Sequence, residues 1–183
     1  MGRKTWIKTP NQEVKTSQIQ KSSKHHNLCC LVAQKFFKRD FCKFGMYNTR
    51  YVAVELNVTF GGECPDVFGF GGSYSHLFEI KLSHSDFKKD QKKWARQDDN
   101  GIGEYRTYVC PVGIIKEEEL PPMWGLLYYD ENSSIFECVK KPDRFDITSS
   151  FGELSLVSSI MRRENIKPQV FNYRYTNNTI KKK

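Results

Sequence analysis

With 183 residues, 38% of them hydrophobic and 14% aromatic, the chain has the material for one domain with a sizeable core. Its 29 lysines and arginines against 21 aspartates and glutamates leave a net charge of +8, which favours a polyanionic partner. No apolar run is long enough to cross a bilayer, and the N-terminus lacks the apolar segment of a secretory signal, so the expectation is a soluble cytoplasmic protein without a membrane partner.

Residues 1 to 24 carry Arg3, Lys4, Lys8, Lys15, Lys21 and Lys24 against the lone acid Glu13, show no apolar period, and read as a flexible basic arm. From about Asn27 to Phe41, Leu28, Leu31, Val32 and Phe36 recur at helical spacing, which predicts an amphipathic helix lying on a sheet. Strands are expected near 50–59, 65–70, 76–82, 104–110 and 124–130. A helix from Ser85 to about Arg96 stands between the third and fourth, closed by Asp98-Asp99-Asn100-Gly101. A strand at 135–139 and a helix from about Ser149 to Arg163 complete one domain over residues 25–165, and residues 166–183 form a basic tail. This order predicts an α/β fold with a central mixed sheet flanked by helices.

Six cysteines, Cys29, Cys30, Cys42, Cys64, Cys110 and Cys138, show no C-x-x-C pair and no cysteine–histidine cluster at zinc spacing; they read as reduced thiols. His25 and His26 fall at the border of the arm and are assigned no role.

The chemistry concentrates in two short runs. Pro65-Asp66-Val67-Phe68-Gly69-Phe70 reads as a strand entered through proline, and Gly71-Gly72-Ser73 folds it back into His76-Leu77-Phe78-Glu79-Ile80-Lys81-Leu82. Alternation puts Glu79 and Lys81 on one face, towards a cleft, and Phe78, Ile80 and Leu82 on the other, with Asp66 across from Glu79. Two carboxylates beside an ammonium suit a hard divalent cation and a phosphate. An isolated E-x-K is usually a solvated strand face, so the weight lies on the joint appearance of these residues.

These runs resemble the PD-(D/E)XK nuclease superfamily, whose fold is restriction-endonuclease-like. The stretch from Glu79 to Lys93, with Ser83-His84-Ser85-Asp86-Phe87 opening a helix, looks most like the small MmcB-type and VRR-NUC-like branches, and the likeness covers roughly residues 28 to 130. The resemblance implies a metal-dependent nuclease hydrolysing phosphodiester bonds, with DNA as substrate, in a repair, phage or mobile-element setting. It implies Mg²⁺, with Mn²⁺ as a substitute, on Asp66, Glu79 and the carbonyl of Ile80, with Glu55 as the upstream acid and Glu63 as a competitor for that place. Lys81 would position or help deprotonate the attacking water, and Gln91, on one face with Phe87 and Trp94, would lie near the carboxylates. The lanes Lys88, Lys92, Arg96 and Lys89, Lys93 would contact nucleic acid through its phosphates, joined by His84. No dedicated specificity module is visible, so DNA structure, a homodimer or a partner would supply specificity. The alternative is a catalytically inactive nucleic-acid-binding module of the same fold.

Overall fold

The computed structural model describes residues 23–46, 49–56, 63–96 and 101–165. Helix α1 (Lys24–Phe37) starts a turn earlier than its apolar period suggests, because Ser23 caps it by accepting a hydrogen bond from the His26 amide. Its stripe of Leu28, Cys29, Val32, Ala33 and Phe36 is buried. Strands β1 (Tyr51–Val54), β2 (Val67–Phe70) and β3 (His76–Ile80) form an antiparallel meander. Helix α2 (His84–Asp90) then carries the chain over to β4 (Tyr105–Pro111), parallel to β3. A short connection with one 3₁₀ turn, Glu117–Glu119, leads to β5 (Gly125–Asp130), again parallel, and β6 (Ile135–Lys140) returns antiparallel. Helix α3 (Ser150–Arg163) follows. The result is an α/β architecture: a six-stranded mixed sheet in the order β1-β2-β3-β4-β5-β6, flanked by helices.

Each face of the sheet has its own core. On one side Val32 and Phe36 of α1 pack with Val67, Phe78, Ile80, Val109 and Leu127; on the other, Phe87 of α2 and Leu156 of α3 pack with Phe68, Leu77, Tyr108 and Leu126. The alternation of β3 is the expected one, with Phe78 and Ile80 towards α1. All five β3 residues are buried, however, so Glu79 lies inside the protein and not on an open cleft wall.

Three sequence expectations need correcting. Helix α2 ends at Asp90, six residues before Arg96; the chain then turns and a 3₁₀ turn, Trp94–Arg96, brings the Arg96 guanidinium back onto the Asp90 carboxylate. Trp94 is 63% exposed and does not face the sheet. Strand β1 stops at Val54, and Glu55, just past it, takes a left-handed backbone conformation with φ 46°. The basic arm up to residue 22, the far end of the first expected strand, Asp98-Asp99-Asn100 and the basic tail lie outside the described residues. Among the described residues, no helix is long and apolar enough to cross a membrane.

Candidate functional site

The sheet register explains how acids far apart in sequence meet. Val54 pairs with Val67 and Val67 with Phe78, so the next residues out, Glu55, Asp66 and Glu79, stand level across β1, β2 and β3. The Glu55 amide donates to the Asp66 carbonyl at 2.7 Å, continuing the ladder by one bond. Tyr108 of β4 extends the row, opposite Glu79.

On the α2 side of this row lies a buried ion cluster. Lys81 Nζ is 2.7 Å from Glu79 Oε2, 3.3 Å from Asp90 Oδ1 and 3.8 Å from Asp66 Oδ2. Arg96 binds Asp90 through Nε at 2.7 Å, approaches Glu79 Oε1 at 2.9 Å and pairs with Glu63, its guanidinium lying over the Trp124 ring. Tyr108 donates its hydroxyl to Asp90 Oδ2 at 2.9 Å, and Lys93 reaches Asp90 Oδ1 at 2.6 Å. The contact of Arg96 with Glu79 is charge pairing without hydrogen-bond alignment, since Glu79 Oε1 has no aligned donor among the described residues.

Burial pushes the Glu79 carboxyl up from its ordinary value, against the pull of the Lys81 charge. For Lys81, burial favours loss of the proton, but the carboxylates of Glu79, Asp90 and Asp66 outweigh it and hold the ammonium above its ordinary value. In this arrangement it is a fixed positive charge.

The N-terminal end of α1 closes the other side of the row with residues the sequence reading set aside. His25 Nε2 is 3.4 Å from Asp66 Oδ2, its Nδ1 is 3.5 Å from Glu55 Oε1, and the same Nδ1 is 3.5 Å from Cys29 Sγ. His26 Nδ1 lies 2.8 Å from Glu55 Oε2, with Cys30 Sγ 3.5 Å from its Nε2. Asp66 also accepts the Ile80 amide at 2.8 Å. Burial would raise the Asp66 carboxyl, but the His25 hydrogen bond and the Lys81 charge bring it below its ordinary value; the Asp66 bond in turn raises His25.

Several expected site residues stand elsewhere. Gln91 turns away from the carboxylates and donates to the Glu119 carbonyl at 2.9 Å, because α2 has already ended; Asp90, three residues after Phe87, takes the inward place. Arg96 is buried and so leaves the cationic lane. His84 and Lys88 both bind the Glu119 carboxylate, at 2.8 and 3.1 Å, and Lys93 is tied to Asp90. Lys89 and Lys92 are exposed and form no ion pair among the described residues. Glu55 adjoins Asp66, whereas Glu63 is bound to Arg96. A shallow apolar depression beside Phe136 and Cys138 lies at the opposite edge of the sheet and has no part in this cluster.

The expected Mg²⁺ set fits these side chains poorly. Each oxygen of Glu79 faces a cation, and Asp66 is approached by a nitrogen donor beside a sulfur donor, where Mg²⁺ prefers oxygens in octahedral geometry.

No protein-family model matches the chain, and no curated protein matches it. Among solved structures it is similar to the SPO1766 protein of unknown function from Silicibacter pomeroyi, with 20% identity, a TM-score of 0.46, and coverage of 63% of this chain and 77% of that one. Similarity at this level assigns neither a fold family nor an activity.

Proposed function

We propose that this chain is a nuclease-like phosphodiester hydrolase with a restriction-endonuclease-like core, acting on nucleic acid and in the first instance on DNA. One observation carries the reading: Lys81 Nζ stands within 3.8 Å of both Asp66 and Glu79, carboxylates delivered level by neighbouring strands. The row continues to Glu55, just past the end of β1.

The residues divide the work by their protonation. Lys81 keeps its proton and supplies positive charge to a phosphate oxygen on which negative charge grows. Glu79 and Asp90 hold the ammonium in place from two sides, while Asp66, kept ionised by His25 and Lys81, lies between Lys81 and the α1 end and accepts or orients a water proton there. Lys89 and Lys92 add attraction for the phosphate backbone without sequence preference.

A second reading, a nucleic-acid-binding module that no longer turns over, is favoured by a different observation. Glu79 and Lys81 are almost fully buried and saturated by Arg96 and Asp90, so the machinery is closed upon itself. Cleavage of labelled DNA and RNA substrates with Mg²⁺ or Mn²⁺ separates the two. Metal-dependent cutting by the intact chain, reduced at least about a hundredfold in Asp66→Ala and in Lys81→Ala, supports the hydrolase. Binding without cutting in all three proteins supports the module.

A further inference from the structure

We propose that His25, Cys29 and Asp66 bind one borderline divalent transition-metal ion, of the Zn²⁺ and Co²⁺ class, between the first turns of α1 and the start of β2. The inference deepens the hydrolase reading by naming the ion that Asp66 would hold. It stands on three observations.

The first is proximity. One donor atom from each of the three side chains lies within 4.8 Å of the other two. His25 Nδ1 is 3.5 Å from Cys29 Sγ, and Nε2 is 3.4 Å from Asp66 Oδ2. Bond lengths of about 2.0–2.3 Å to tetrahedral Zn²⁺ put its ligands roughly 3.3–3.8 Å apart; since one ring nitrogen ligates one ion, the His25 ring has to turn to bring a single nitrogen between Cys29 Sγ and Asp66 Oδ2, within a set already inside 4.8 Å.

The second is how the fold supplies them. His25 and Cys29 are four residues apart on α1 and share a helical face, the spacing by which two ligands on one helix commonly chelate a metal. Asp66 arrives from the sheet, held by the Ile80 amide. Glu55 Oε1 stands 3.5 Å from His25 Nδ1, placed to accept that nitrogen's proton when Nε2 is the ligand. Cys29 is fully buried while the His25 side chain is 30% exposed, which leaves an approach from solvent.

The third is chemical. A thiolate and an imidazole beside a carboxylate prefer borderline ions to Mg²⁺, which takes oxygen donors. The neighbouring pair His26 and Cys30 has the same spacing but turns to Glu55 instead of Asp66, and serves as an internal control.

The test is a Co²⁺ titration of the full chain under reducing conditions. The expected result is a near-ultraviolet thiolate-to-cobalt charge-transfer band that saturates at one ion per chain and is unaffected by excess Mg²⁺. Cys29→Ser removes the band, His25→Ala weakens binding by about tenfold or more, and Cys30→Ser changes neither. Because Cys29 is in the core, X-ray absorption of the unmodified chain loaded with Zn²⁺ gives an independent reading, with one sulfur in the ligand set expected. No saturable binding, no sulfur neighbour, or a band that survives Cys29→Ser overturns the site. The outcomes separate from those for the hydrolase. Mg²⁺-dependent cleavage by a chain that binds no Co²⁺ through Cys29 defeats only the metal site, and Co²⁺ binding through Cys29 with no cleavage under any ion defeats only the hydrolase.

Discussion

Asp90 lies 3.3 Å from Lys81, reaching from the last residue of α2 to the residue just beyond β3, and it also receives Arg96, Lys93 and the Tyr108 hydroxyl. A carboxylate that offsets this much buried positive charge is a keystone for stability whatever the reaction. Asp90→Ala leaves Lys81 and Arg96 short of a partner in the interior, and the expected loss is about 3–5 kcal/mol. Tyr108→Phe removes one hydrogen bond to the same group and is expected to cost about 1 kcal/mol. Urea unfolding of the two variants checks the ranking; equal midpoints would show that water replaces Asp90 at little cost.

The exposed charge after β3 is smaller than the sequence suggests. Lys88 and Lys93 are in ion pairs and Arg96 is buried, which leaves Lys89 and Lys92 as the lysines of that segment open to a phosphate. The double variant Lys89→Ala, Lys92→Ala is expected to lower affinity for a DNA duplex and to flatten the dependence of log affinity on log salt by about 2. Lys88→Ala should change the slope less, since Glu119 already neutralises that charge. Fluorescence anisotropy across a salt series reads both, and an unchanged slope in the double variant would place the DNA on another surface.

The sheet was legible in the sequence because its signals are local. Proline before Asp66, the glycine pair after Phe70 and the alternation through β3 determine the strands, their turn and their faces, and the level row of Asp66 and Glu79 follows from the register. What was not legible depends on where a helix stops. Nothing in the run of lysines from Lys88 to Lys93 reveals that α2 ends at Asp90, since the reason is a buried pairing with Arg96 six residues on. Once it ends there, Gln91 turns towards Glu119 and Asp90 turns inward. The His25 and Cys29 pair is not legible from the apolar period, which begins near Asn27; the four-residue spacing acquires meaning only in a helix beginning at Lys24.

Gly69 sets how closely the C-terminal end of α1 approaches the sheet. It sits in β2 beneath α1, and a methyl group added there would overlap the Phe36 ring, with the Thr49 hydroxyl also close. Gly69→Ala therefore has to displace the Phe36 ring or α1 with it, and α1 carries His25. Overpacking of this kind is expected to cost about 1–3 kcal/mol, seen as a lower Tm. If α1 moves, the His25 to Asp66 contact loosens with it, so the imidazole resonances of His25 should shift in the variant while those of His84 stay in place.

Glu119 offers a pH prediction away from the buried cluster. The His84 hydrogen bond first, then the Lys116 amide and the Lys88 ammonium, hold its carboxyl down at about 2. A folded-state value below the ordinary 4.5 means that the associated stabilisation is complete above 4.5 and is lost as the pH falls from there towards 2. The effect reaches α2, because His84 begins that helix and Gln91, just past its end, binds the Glu119 carbonyl. Carboxyl carbon NMR should show Glu119 titrating well below the other exposed glutamates. His84→Ala should move it up towards 4.5, and the amides of α2 should lose hydrogen-exchange protection over the same acid range. A Glu119 that titrates at its ordinary value in the unmodified chain would mean that His84 does not hold it in solution.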